Sequence, residues 1–211
     1  MRRLADGIWQ LESAGRVANV HLVEAEEPVL VDAGTKGRGQ KVLAELQAHG
    51  TLPARIVVTH GDFDHVGAAA FLARELGIAI WAPEAERALL EGRLSRGPVI
   101  DLAWKLVGPA RPIPVDRWYA AGETLAGFET IPTPGHTPGH TSLKLGSTLI
   151  AGDAVVTGEK FKEQPASMSK ERARRSVEQL AELDVDLAVS GHGKPAFGAR
   201  EKLEALVASW R

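Results

Sequence analysis

Residues 59–65 read THGDFDH, which places His60, Asp62, Asp64 and His65 within seven residues. Imidazole nitrogens and carboxylate oxygens at this density are the donors that borderline and hard divalent cations take. Three later strings repeat the theme: His136 and His140 in TPGHTPGH, Asp153 in AGDA, and His192 in SGHG. Each string is rich in Gly or Pro. Glycine lets the backbone turn sharply and proline fixes its direction, so side chains at strand ends can converge on one point. A single strand-end histidine is more often a surface or capping residue than a ligand. Five histidines and three aspartates so placed in one chain point jointly to metal. The chain has no cysteine, so neither thiolate ligands nor disulfides are available, and any ion must be held by His, Asp and Glu.

Taken in order, VDAG, THGDFDH, PGHTPGH, AGD and SGHG resemble the motifs of the metallo-β-lactamase superfamily. The resemblance runs from about Asn19 to Pro195. It implies an α/β chain folded as an αββα sandwich, with a metal site at the sheet edge. It further implies two divalent ions, of zinc, manganese or iron. His60, Asp62 and His136 would hold the first. Asp64, His65 and His192 would hold the second, and Asp153 would bridge both. Asp32 in VDAG would stand behind the ligands and tie the site to the first hairpin. His140 falls where the family does not usually place a ligand and is read as a supporting residue. His21, His49 and Tyr119 are read as structural.

Two cations sharing one water can acidify it to a hydroxide near neutral pH, and that hydroxide attacks a carbonyl or phosphorus centre without a Ser or Cys nucleophile. Asp64 would take the proton afterwards. The family usually carries histidine where this chain has Asp62. Counting the ions, three aspartates and a hydroxide leaves the centre neutral, whereas a histidine at 62 would leave one positive charge. A less positive centre acidifies water less, and a carboxylate favours harder ions. Flavodiiron-type members of the superfamily also place a carboxylate here and use iron. The expectation is therefore a site that accepts Mn or Fe at least as readily as Zn.

The elements that must position these groups can be read from hydrophobic period and turn residues. GIWQLES and NVHLVEAEEPVLVDAGT read as early strands with a hairpin at EAEEP. GQKVLAELQAHG reads as a helix stopped by Gly50. ARIVVTH is a short strand running into the cluster, VGAAAFLARELG a helix, and IAIWAP a strand. From Glu123 onward strands return in FETIPT, TSLKLG and STLIAGD. A long helix, SKERARRSVEQLAEL, follows, then the strand VDLAVSGHG and a closing helix. Alternation of this kind argues for layered α/β structure. PVLVDAG echoes STLIAGD, and RIVVTHGD echoes DLAVSGHG. One domain over 1–211, with pseudo-twofold halves of about 1–95 and 115–211, would account for the echo.

Residues 84–115 fit the pattern least well. EAERALLEGRLS reads as a helix. PVIDLAWKLVG, around Trp104, serves either as an apolar lid or as packing and homodimer contact. Lys160 and Lys162, soon after Asp153, are candidates to meet a substrate carboxylate or phosphate, with plain surface solvation as the competing use.

The remaining properties exclude more than they select. In 211 residues, 44% are hydrophobic and 25% charged, with a net charge of −2 and pI near 6.4. Nothing in that balance calls for nucleic acid, and aromatics for base stacking are only 5%. No segment is apolar enough for a membrane span, and MRRLADGIWQ lacks the apolar run of a signal peptide, so a cytoplasmic location is expected. The leading expectation is a metallo-hydrolase of a small ester, thioester or lactone. An iron-dependent dioxygenase of thiols or persulfides, built on His60, His136 and Asp153 alone, is a second reading. A non-catalytic metal-binding sensor is a third.

Overall fold

The structure, a computed structural model, describes residues 1–15, 17–120 and 122–210. Its contacts divide the chain into two compact units, Met1–Tyr119 and Ala120–Arg211. Residues 96–119 therefore lie with the first unit.

The first unit is a seven-stranded sheet whose strands are neighbours in chain order. Strands β1 (Arg2–Ala5), β2 (Ile8–Gln10), β3 (His21–Glu24) and β4 (Pro28–Val31) form an antiparallel meander. The remaining strands, β5 (Arg55–Val57), β6 (Ala79–Pro83) and β7 (Arg117–Tyr119), add in parallel. The change follows from the connections: short turns return a chain antiparallel, and parallel strands need a helical crossover. The first crossover carries α1 (Gly39–His49), which buries Val42 and Leu46 and stops at Gly50, where φ is 90°. The second carries α2 (Phe63–Val66) and α3 (Ala69–Leu76). The sequence suggests one helix here. It breaks because the backbone of 65–68 bonds the loop after β4 instead: Ala33 N–H donates to the His65 carbonyl, and Ala68 N–H to that of Gly34. The third crossover holds a 3₁₀ turn at Glu84–Glu86, α4 (Arg87–Leu90) and α5 (Pro98–Val107). Trp104 of α5 is buried in this unit's core with Leu90, Val66 and Ile113. Val99, Leu102, Leu106 and Val107 of the same helix face outward.

The second unit is a five-stranded sheet. Strands β8 (Thr124–Leu125), β9 (Phe128–Pro132), β10 (Thr141–Leu145) and β11 (Thr148–Ile150) run antiparallel. A two-stranded ribbon, β12 (Val155–Val156) with β13 (Lys162–Glu163), follows. Helix α6 (Lys170–Ala181) then crosses over to β14 (Leu187–Val189), which pairs with β11 in parallel. Ser169 caps α6 by accepting the Arg172 N–H. Helix α7 (Ala199–Ala208) closes the unit, and its Leu203 joins Val177 and Leu180 of α6 in the core.

The two units share a pattern of strand pairing. In each unit an antiparallel hairpin partner leads to a strand (β4, β11) that pairs in parallel with the next crossover strand (β5, β14). Asp32 and Asp153 follow the first strand of each pair, and His60 and His192 follow the second. No helix among the described residues is long and apolar enough to cross a membrane.

Candidate metal centre

In the first unit, β5 delivers Thr59 and His60, and α2 begins three residues later. Four groups from this stretch are buried: His60, Asp62, Asp64 and His65. The two imidazole rings stand 4.1 Å apart by their centroids. Asp32 is the anchor behind them. Its backbone lies in the left-handed region, with φ of 61°, a conformation that Asp tolerates better than most residues. From there one carboxylate oxygen lies 2.7 Å from His65 Nδ1. The other accepts the Thr59 N–H at 2.8 Å, and the Thr59 hydroxyl donates to the same carboxylate. Thr59 Oγ1 also lies 3.0 Å from His60 Nδ1. With Nδ1 of both rings held in this way, Nε2 is the nitrogen each ring would offer to a cation, the usual support for a metal-binding histidine.

Asp62 sits at the N-cap of α2, and its carbonyl accepts the N–H groups of His65 and Val66. Its carboxylate does not cap the helix. It takes a two-pronged bond from Arg96, with Nε donating to Oδ1 and Nη2 to Oδ2, each at 2.7 Å. The same Oδ2 lies 3.8 Å from His60 Nε2. The preceding residue is held too: Gly61 N–H donates to the buried carboxylate of Glu86 at 2.7 Å.

The second unit presents His136, His140, Asp153 and His192. Asp153 Oδ2 is 3.5 Å from His136 Nε2 and 3.1 Å from His192 Nε2. It also accepts a bond from the Gln164 side-chain amide at 2.7 Å. His140 points its Nε2 at the backbone N–H of Asp153, 2.8 Å away, and its Nδ1 at the Thr133 hydroxyl. It thus shapes the Asp153 turn. The TPGHTPGH loop is pinned to the start of α6, where Met168 and Ser169 donate to the carbonyls of His136 and Gly135. Lys160 and Lys162 are exposed, and with Gly193 and Lys194 they line an open hollow of about 500 Å³.

The donor set fits divalent metal. Ligand atoms about 2.0–2.2 Å from one ion stand roughly 3–3.6 Å from each other, close to the 3.1 and 3.5 Å spacings around Asp153. Arg96, Glu86 and Gln164 carry no signal in the sequence. Each lies among ordinary polar residues of a loop or turn, 11 to 34 residues along the chain from the group it meets.

The fold and these motifs agree with what the chain resembles. The family model of the metallo-beta-lactamase superfamily matches residues 14–192, and the chain belongs to that superfamily, with its mixed α/β fold. It is a metallo-hydrolase. It is 30% identical to the probable metallo-hydrolase YflN of Bacillus subtilis over 87% of this chain and 83% of that protein. It is 27% identical to the hydroxyacylglutathione hydrolase GloC of Haemophilus influenzae, over 85% and 86% of the two chains. Among solved structures, TTHA1623 in a di-iron-bound form shares 31% identity at a TM-score of 0.75, covering 92% of this chain and 96% of its own.

Proposed function

We propose that the two half-sites act together as a dinuclear centre that hydrolyses a small thioester or related acyl ester. His60, Asp62 and His136 would hold one cation, and Asp64, His65 and His192 the other, with Asp153 shared. The observation that carries this reading is the matched pair of supported donor sets, His60 and His65 braced by Asp32 and Thr59, and Asp153 braced by His140 and Gln164. The hydroxyacylglutathione hydrolase among the relatives supports a thioester, and the di-iron relative supports two metals with iron among the candidates. When bound, the cations would supply an acidified water as nucleophile and polarise the acyl carbonyl. The chain's residues supply the rest. Asp32 and Thr59 fix the ring tautomers, the His140 ring holds the Asp153 turn, and Asp64 would receive the proton at its carboxylate. Lys160 and Lys162, with Lys194, would attract a negatively charged tail on the substrate.

Metal analysis of zinc, manganese and iron forms, combined with a panel of thioesters, esters, lactones and phosphodiesters, tests this. About two cations per chain and fastest turnover on thioesters are expected. One iron per chain with thiol-dependent oxygen uptake would support the dioxygenase instead. No turnover in any metal form would support the sensor.

A further inference from the structure

Residues 84–115, read from the sequence as a lid or as packing, hold the metal motif from one side. Phe63, inside THGDFDH, meets Trp104 of α5 edge to face, with ring centroids 6.4 Å apart. In the first turn of α5, Asp101 accepts the Arg96 N–H at 3.0 Å and the Ser95 hydroxyl at 2.5 Å. Gly97 N–H closes the turn onto Ser95 Oγ. The helix therefore fixes the backbone that carries Arg96. From that anchor the guanidinium, its side chain 1% exposed, reaches the Asp62 carboxylate, 8% exposed. Arginine is always charged, and its planar fork matches a carboxylate. A buried charge of this kind is costly unless paired.

We propose that Arg96 is a positioning residue for Asp62, and that the Asp62–Arg96 pair acts as one net-neutral ligand where the family pattern carries a neutral histidine. The proposal rests on the reading that Asp62 holds a metal. It reverses the charge count drawn from the sequence. With Arg96 included, the centre regains the single positive charge that a histidine would leave. The added carboxylate is then no reason to favour harder ions over zinc. The two guanidinium bonds also set the carboxylate plane, leaving the remaining lone pairs of Oδ2 on the side of His60 Nε2.

A mutant cycle on the full chain reads this without reference to turnover. The variants are Arg96→Met, Arg96→Lys, Asp62→His and the double variant Asp62→His with Arg96→Met. Zinc and manganese affinities are measured by chelator competition, and thermal unfolding is followed on metal-free protein. Asp62→His alone removes the carboxylate that takes the Arg96 fork and leaves the guanidinium charge beside the cation, so both affinities should fall by about 10–100-fold. Removing Arg96 in that background should restore zinc affinity, the opposite sign to a merely structural loss. In the wild-type background, Arg96→Met should raise the manganese-to-zinc affinity ratio. Arg96→Lys, which keeps the charge and loses the fork, should keep that ratio while weakening both ions. Additive effects across the cycle, with Asp62→His binding zinc as tightly as the double variant, would overturn the proposal and leave the metallo-hydrolase reading standing. A wild-type chain that binds no divalent cation would overturn both.

Discussion

Asp32 shows how much one residue decides. It is not among the groups assigned to a cation, yet it meets His65 directly and His60 through Thr59, and it does so from a strained backbone. Asp32→Asn keeps the size and tolerates the same backbone. It also turns an amide N–H toward groups that are themselves donors, breaking at least one bond. Loss of such a supporting partner typically costs about 10–100-fold in metal affinity, and Asp32→Asn is expected to fall in that range by chelator competition with little change in secondary structure by circular dichroism. The VDAG string marked Asp32 as a residue worth watching. What it touches could not be read there, because Thr59 and His65 lie 27 and 33 residues on and the left-handed backbone that aims it has no sequence signature of its own.

At the scale of elements, the loops matter because each is clamped by a neighbour. The TPGHTPGH loop depends on α6 approaching closely. Gly135 has φ of 142°, and a Cβ there would lie 2.2 Å from the Ala173 backbone nitrogen. Gly135→Ala is therefore expected to destabilise the chain by about 1–3 kcal/mol or more, through overpacking and backbone strain. The check is the urea midpoint, and an unchanged midpoint would show that the loop can yield. Helices α1, α6 and α7 were legible from their apolar spacing and stops. The split between α2 and α3 was not, because the carbonyls and N–H groups that divide it bond to residues 33–34 rather than to their own turn. Strands β1 and β7 were also missed. Both lie at an edge of the seven-stranded sheet, where half-buried strands carry a weak alternation.

At the scale of the whole molecule, acid should destabilise the fold through a buried histidine. His21, in β3, has its pKa pushed down from 6.5 to about 3, first by burial and then by the positive charges of His65 and Arg2. The folded state thus keeps it neutral while the unfolded chain protonates it. Stability that is full above pH 6.5 is lost as pH falls toward about 3. His21→Leu is expected to flatten the fall in urea midpoint between about pH 7.5 and about pH 5. A variant whose midpoint falls as steeply as the wild type would rule His21 out as the source. The two units share one scheme, a parallel strand pair with an acid after the first strand and a histidine after the second. That scheme was visible as the echo of PVLVDAG in STLIAGD and of RIVVTHGD in DLAVSGHG.

The sequence by itself determined the family, the layered α/β class and the identity of the candidate metal donors, because those depend on local strings and short-range periodicity. Only the tertiary structure decided what each donor leans on. Arg96 is 34 residues from Asp62 and Gln164 is 11 from Asp153. Charge compensation and side-chain aim arise from groups that are neighbours only after folding. Asp62 read along the chain is an extra negative charge in a metal motif. Folded, it is half of a buried pair with Arg96, and that partner sets the charge it can offer an ion.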